Sequence, residues 1–393
     1  MHSHKKEVKL KSISKLGIVG LFSSLGFAAV VTIWSVYLES FLHNPAYVGF
    51  LTSFFSIVSL GSYFFLIPII EKHNKIKLYS LALIMYIISY FAFFVLSNIY
   101  LVVILGTLLA IMVSMRVTCF GILVRNKSKN DKVSKNEGVI YTASNIAWLF
   151  GPLIAGFIAN RYGLNKVFLF AVIILIFSFS LFHFFKVKDN HKVKKIDKNI
   201  LRVAKDFFSG KERRLAYVLG GGVNFWWALI YIYMPIYIIE HGLGDIVLGV
   251  FLAAIVVPLI LFEYYFSRIA GRIGFKKIFF MGYFILGVCA VLCFVFNTPY
   301  VILGLLVLAS VGASMIEPTT EAYFFDIVSV KQRDRFYGPY NTAIEVGAFK
   351  ATAVAAVILL FLPFEYIFLF FALGTFTLAL MSLRVKNIIE CKR

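Results

Sequence analysis

The sequence predicts an all-α integral membrane protein of twelve transmembrane helices arranged as two pseudo-symmetric six-helix bundles. Composition is the first observation behind this. Of 393 residues, 61% are hydrophobic and 15% charged, with 43 Phe and a mean hydropathy of +0.88, whereas soluble domains hold about 25% charged residues. The second is the length of the apolar runs, near the roughly 20 residues that cross a hydrocarbon core of about 30 Å as a helix. These runs are continuously apolar and do not alternate over about ten residues, which excludes β-barrel strands. The third is the placement of the cations, which fall almost entirely between alternate runs.

The expected spans, in order, are 16–38, 47–70, 78–97, 99–124, 138–160 and 165–186, then 215–239, 246–267, 278–296, 299–325, 336–361 and 364–384. The first follows a tail bearing five lysines, Lys5 to Lys15. It is too long for a signal-peptide core and has no persuasive small-residue cleavage site, so it is expected to remain as a signal anchor. Segment 71–77 behind the second span holds three basic residues, 125–135 behind the fourth holds five, and 186–214 behind the sixth holds eleven. Behind the eighth, 268–277 holds four, behind the tenth 331–335 holds three, and four more follow residue 383. Altogether 35 of the 39 Lys and Arg lie on this side. The opposite side holds Arg161 and Lys166 together with turn residues such as Glu240-His-Gly-Leu-Gly-Asp245. Under the positive-inside rule both termini are expected in the cytoplasm of a multi-pass cell-membrane protein. The formal charge of +20 is therefore a topological signal and anionic inner-leaflet lipids its partner, with no nucleic acid implied.

Segment 187–214 divides the chain into bundles expected at 1–186 and 215–393. Within it Ile196, Ile200, Val203, Ala204, Phe207 and Phe208 form one stripe at helical spacing, with Lys198, Arg202 and Lys205 off it. The stripe predicts an amphipathic helix on the inner membrane surface, or else a solvated tether. Cys119, Cys289 and Cys293 fall in spans and Cys391 in the tail, so no disulfide framework, metal or cofactor is expected.

An offset of 200 residues superimposes the halves helix on helix. Ser114-Met115 matches Ser314-Met315, Thr142-Ala143 matches Thr342-Ala343, and Phe168-Leu-Phe170 matches Phe368-Leu-Phe370. Tyr37, Gly49, Lys77, Tyr100 and Gly138 match Tyr237, Gly249, Lys277, Tyr300 and Gly338. Six helices repeated in the same orientation form parallel repeats about an axis normal to the membrane.

On these residues the chain resembles the major facilitator superfamily. The stretch Arg268-Ile-Ala-Gly-Arg272-Ile-Gly274-Phe-Lys276-Lys277 is similar to that family's short loop signature of Gly, Asp, Arg, Gly and a basic pair, with Gly271 in place of the acid. The first-half equivalent holds Glu71 where the acid belongs, then Lys72. Gly151-Pro152-Leu-Ile-Ala155-Gly156 resembles a Gly-Pro motif of the family's fifth helix, associated mainly with exporters; simple helix packing is the equal alternative. Lys135-Asn-Glu-Gly138 and Arg335-Phe-Tyr-Gly338 share the family's basic-x-x-Gly pattern. The resemblance implies a monomeric carrier with a substrate site between its halves, lined by the first, fourth, seventh and tenth spans.

Charges inside the spans carry the remaining information, since each costs about 2.5–3.5 kcal/mol at a helix centre unless it meets a partner or a cavity. Arg116 lies sixteen residues after Tyr100, and Glu317 seventeen after Tyr300, so both sit about 25 Å from the far end of their helices. They are expected either to pair across the cavity or to bind substrate, or to be held by neighbouring helices. Glu321 follows Glu317 by one turn, and neighbouring carboxylates do not both ionise easily, which makes them candidates for proton coupling. Pro318 between them predicts a kink. Glu345 and Lys350 lie on different faces of the eleventh span, so Lys350 is expected to meet another helix's carboxylate or face the cavity. Glu263, near Arg268, reads as structural. Asn224, Trp226, Trp227 and Tyr231 in the seventh span could stack on an amphipathic solute or serve as an aromatic belt.

The expected function is a secondary active transporter or facilitator that moves a small organic solute by alternating access, with proton-coupled export as one form. The alternatives are a transporter-like receptor or lipid scramblase and, behind these, a membrane-embedded enzyme. Gly220-Gly-Gly-Val-Asn224 lacks the Lys and Ser/Thr of a P-loop, and no ATPase-sized domain stands between the expected spans, so a primary pump is not expected.

Overall fold

A computed structural model describes residues 12–127, 133–186 and 200–386. The first six helices are α1 (Ser12–Leu42), α2 (Pro45–Lys72), α3 (Lys75–Val95), α4 (Ile99–Lys127), α5 (Val133–Tyr162) and α6 (Leu164–Phe184). A short helix, α7 (Ile200–Ser209), precedes α8 (Lys211–Ala228), a π turn (Leu229–Tyr233) and α9 (Met234–Glu240), which together make the seventh span. The last five are α10 (Gly244–Ile273), α11 (Phe275–Val295), α12 (Pro299–Ile327), α13 (Val330–Phe361) and α14 (Tyr366–Ser382). Among the described residues eleven helices are long and apolar enough to cross a membrane, and α14 is a shorter apolar helix.

Tight connections make consecutive helices antiparallel. Asn44 caps α2 by accepting from the Ala46 amide at 2.8 Å, and Asn74 caps α3 through Ile76 and Lys77. Gly163 (φ 90) and Gly274 (φ 91) each turn the chain within one residue, in a backbone region open to glycine. The turn at Gly274 corrects the expected loop 268–277. Arg268 and Arg272 ride on the last turns of α10, and Lys276 and Lys277 on the first turn of α11. A single left-handed glycine does the work of a loop.

The seventh span is not one regular helix. Pro235 near the start of α9 has no N–H and crowds the carbonyl of Tyr231, so the preceding turn widens into the π form. In α12, by contrast, the helix runs through Pro318 unbroken.

Side chains gather into two hydrophobic clusters, one drawn almost wholly from Ile13 to Phe182 and the other from Val203 to Val385. In the first, α1 packs on α5 and α6, and α4 on α2 and α3; in the second, α12 packs on α8, α10 and α11. Two seams join the clusters, α2 with α13 and α5 with α10. Both seams are tightest in the half away from the basic connections. There a Cβ on Gly249 would lie 2.5 Å from the Pro152 carbonyl and 3.1 Å from the Gly156 Cα. Ser53 and Thr352 share a hydroxyl contact of 2.7 Å, and the Tyr233 hydroxyl donates to the Thr352 carbonyl at 2.8 Å. Val36 of α1 belongs to the second cluster and Ile236 of α9 to the first, so the far ends of the first and seventh spans interlock. Toward the basic face neither α1 and α8 nor α4 and α12 form a packed pair among the described residues. The bundles are closed at the far face and parted at the basic face.

The described part of the linker stripe forms the helix α7, and two of its members meet protein while Phe208 stays exposed. Val203 and Phe207 of α7 are buried, and Phe207 packs on Phe336 and Tyr217 with ring centroids 5.8 and 6.1 Å away. Arg213 donates to the Phe207 and Asp206 carbonyls, Arg214 to that of Phe208, and Arg335 of α13 pairs with Asp206. Aromatic stacking and carbonyl capping together hold α7 under the second bundle; Ile196 and Lys198 lie outside the described residues. Phe207→Ala is expected to remove about 3–5 kcal/mol of packing. The readout is faster hydrogen exchange in 200–209 with exchange in the spans unchanged.

Candidate functional site

Two carboxylates from neighbouring helices form the first part of the site. Glu317 of α12 is exposed toward the space between the bundles, and the Trp227 indole N–H of α8 donates to it. The carboxylate whose charge acts on Glu317 is Glu263 of α10, which accepts in turn from the Asn145 amide of α5. Glu263 is thus not tied to Arg268, as its position in the chain suggested, but faces inward and bridges the α5–α10 seam. Tyr231, on the π turn, lies within electrostatic reach of Glu317 and sits between Trp148, edge-on at 5.4 Å, and Trp227, tilted at 5.6 Å. Among the described residues neither carboxylate has a Lys or Arg partner. Among the described residues the donors set against the two acids are neutral, which leaves both carboxylates open to a proton or a ligand.

Arg116 of α4 forms the second part. Its guanidinium covers the Phe27 ring at 4.0 Å and stands 5.6 Å from the centre of Tyr86, an arrangement worth roughly 2 kcal/mol where water is excluded. No carboxylate pairs with it among the described residues, and its Nε is buried without a hydrogen-bond partner. The expected Arg116–Glu317 pair is therefore absent from this closed-far-face arrangement, because each group is held within its own bundle. Arg116 instead borders a cavity of about 180 Å³ shared with Ser23, Ser24, Tyr79 and Ser144.

A third charge lies on the other seam. Glu345 of α13 accepts from the Ser59 hydroxyl of α2 at 2.9 Å, and Tyr63 lies within electrostatic reach of both Glu345 and Arg116. Alongside it the Ser62 and Ser114 hydroxyls meet at 2.6 Å. Each bundle therefore contributes a polar group at mid-membrane on both seams.

Other expected residues fall elsewhere. Glu321 does not join Glu317; it accepts from the Tyr337 hydroxyl of α13 at 2.6 Å, one turn closer to the basic face. Trp226 is 1% exposed inside the second cluster with its indole nitrogen unpartnered, while its neighbour Trp227 faces the carboxylate. Adjacent helical residues point about 100° apart, and only one of the two can line the cavity. Asn224 donates to the Gly220 carbonyl of its own helix at 3.4 Å. Lys350 is exposed on one face with Val354, Val357 and Phe361, which are 44%, 47% and 79% exposed. That places it on an apolar outer stripe with no carboxylate near it among the described residues. Lys72, Arg268, Arg272 and Lys277 are exposed at the basic face, and Lys276 is half-buried there. The side chains of Glu71 and of Lys135 to Gly138 lie outside the described ones. Gly151 abuts Ala28 and Ala29 of α1, and Pro152 and Gly156 meet α10 at Gly249. Sequence reasoning missed Trp148, Ser59 and Tyr63. A tryptophan mid-span, one turn from Asn145, and the hydroxyl run Ser59, Ser62 and Tyr63 in an apolar helix were the available signals.

The sequence profile of the Major Facilitator Superfamily matches residues 16–262 and 248–387. An uncharacterized MFS-type transporter of Methanocaldococcus jannaschii is 22% identical over 223 residues, 56% of this chain and 57% of that protein. The proton-coupled antiporter flippase LtaA of Staphylococcus saprophyticus is 24% identical over 137 residues, 34% of each chain. The matches thus span about half and one third of these two relatives. Among solved structures, a POT family transporter in complex with 5-aminolevulinic acid aligns with a TM-score of 0.79 at 12% identity, covering 94% of this chain and 95% of that one. A bacterial homologue of the iron transporter ferroportin in its inward-facing state aligns with 0.73 at 14% identity, covering 96% and 98%. The nucleoside transporter NupG aligns with 0.73 at 13% identity, covering 96% and 100%. These structures share the fold.

Proposed function

The chain belongs to the Major Facilitator Superfamily, and from that membership we propose a proton-coupled secondary transporter that moves a small organic solute by alternating access between its two bundles. It is a multi-pass membrane protein, and its family and fold neighbours are transporters, not enzymes. The observation that carries the coupled reading is the Glu317–Glu263 pair, reached from the parted side and opposed only by the Trp227 and Asn145 donors. Two carboxylates within electrostatic reach of each other and without a cation do not both ionise easily, and their charge changes when a ligand arrives or leaves. Glu263 touches Asn145 across the α5–α10 seam, so a change of charge there is felt by both bundles. With the basic face in the cytoplasm by the positive-inside rule, the present arrangement is open to the cytoplasm and closed outside, ready to load a solute for export.

The test uses purified protein in proteoliposomes with a panel of labelled solutes, each assayed with and without an imposed pH gradient. Accumulation of one solute only when protons flow the other way supports the proposal. Movement indifferent to the pH gradient overturns the coupling, and specific binding with no movement favours the receptor reading.

A further inference from the structure

The pocket at Arg116 has the composition of a receptor for an oxyanion. Arg116 stands in an apolar helix with aromatic faces as its protein partners: Phe27 at 4.0 Å and Tyr86 beyond it. Stacking satisfies the face of the guanidinium and the Tyr86 hydroxyl takes one of its in-plane donors, of which arginine has five. The buried Nε has no acceptor. Arg116 borders a cavity of about 180 Å³ whose other polar lining residues are Ser23, Ser24, Tyr79 and Ser144.

The Tyr79 and Ser23 hydroxyls bond each other, which leaves Ser24 and Ser144 as the less engaged pair. Ser23 donates to the Gly20 carbonyl at 3.1 Å, and Ser144 reaches Ser24 at a long 3.4 Å. A hydroxyl has one donor and two acceptor positions and rotates to suit a ligand. Four helices, α1, α3, α4 and α5, contribute walls, so the pocket is built by tertiary packing and not by a run of sequence. No carboxylate lines it among the described residues. A cation and several hydroxyls around an open volume complement a carboxylate or phosphate group, and would repel a cationic one.

We infer that this pocket binds the oxyanion group of the transported solute, a carboxylate or phosphate held by Arg116 with the hydroxyls of Ser24 and Ser144. The inference rests on the transporter reading and adds the substrate class: an organic anion or zwitterion, or a lipid with an anionic headgroup. The acid pair on the second bundle then takes the proton, while the anion pocket is walled by first-bundle helices. An anion held on the first bundle leaves the second bundle's carboxylates free to titrate.

Full-length protein in phosphatidylcholine nanodiscs is titrated with inorganic phosphate or benzoate while thermal stability is followed. A parallel preparation uses phosphatidylglycerol nanodiscs without added anion. Stabilisation by a soluble anion that weakens about 10- to 100-fold in Arg116→Gln, as loss of a charge-assisted contact implies, and returns in part in Arg116→Lys, supports a soluble oxyanion. Stabilisation by phosphatidylglycerol alone, lost in the same variant, supports a lipid headgroup. No stabilisation from either source, or equal stabilisation in Arg116→Gln, overturns the inference. The double variant Ser24→Ala/Ser144→Ala keeps the charge and the helix packing; unchanged anion affinity in it also overturns the assignment of those hydroxyls. Proton-driven solute movement is recorded on the same wild-type preparation. Arg116-dependent anion binding without any movement counts against the transporter reading alone, and movement of a solute without such binding counts against the pocket alone.

Discussion

Glu317→Gln is expected to abolish accumulation driven by a proton gradient while leaving solute exchange without a gradient in place. A gradient of one pH unit supplies about 1.4 kcal/mol per proton, equivalent to roughly tenfold accumulation, and the amide removes the group proposed to carry that proton. Gln keeps an acceptor for the Trp227 indole N–H, so the local packing is preserved. The comparison that matters is Glu321→Gln, whose carboxylate is held by Tyr337. It is expected to retain most of the tenfold accumulation. Proteoliposome uptake at matched protein levels reads both. Retention of full accumulation by Glu317→Gln, or equal losses in the two variants, would move coupling away from the Glu317–Glu263 pair.

Gly249→Val is expected to stop transport by a different route, through the equilibrium between arrangements. At this position even a single Cβ would stand 2.5 Å from the Pro152 carbonyl and 3.1 Å from the Gly156 Cα, across the α5–α10 seam. Both neighbours are backbone and cannot rotate away. Overpacking of this kind costs about 1–3 kcal/mol, and here it burdens only the arrangement closed at the far face. The population of that arrangement then falls by roughly 5- to 150-fold. A cysteine placed at Val36, which is 5% exposed in the far-face interlock, reports the shift. In a background without the native cysteines it is expected to gain labelling by an impermeant maleimide from the far side in Gly249→Val. Labelling at the parental level, with transport lost, would assign the glycine to folding instead of to the transition between arrangements.

Much of the architecture was legible because it depends on local physics. Twenty apolar residues must cross as a helix, and a glycine such as Gly274 reverses direction in one step. The repeat needed only matched positions such as Gly49 and Gly249, both of which prove to lie where helices of opposite bundles approach closely. What lay beyond reach was partner choice. Glu317 and Glu321 are one turn apart, and proximity along the helix suggested a pair. In the fold Glu321 is taken by Tyr337, and Glu317 lies within electrostatic reach of Glu263 on another helix. Trp226 and Trp227 look alike in the chain, yet one is enclosed in the core and the other opposes a carboxylate. The linker stripe through Val203 and Phe207 carried the right amphipathic period, but the period is silent on whether lipid or Phe336 covers it.

By itself the sequence determined that this is a helical membrane protein of two repeats with its cations on one face, because span length, continuity of hydrophobicity and the position of lysines are properties of the chain. The tertiary structure alone decided which buried charges face each other, which serine and tyrosine hydroxyls surround Arg116, and at which face the bundles close. Those depend on the rotation and register of one helix against another, set by side-chain packing between segments far apart in the chain, and no local pattern encodes that relation.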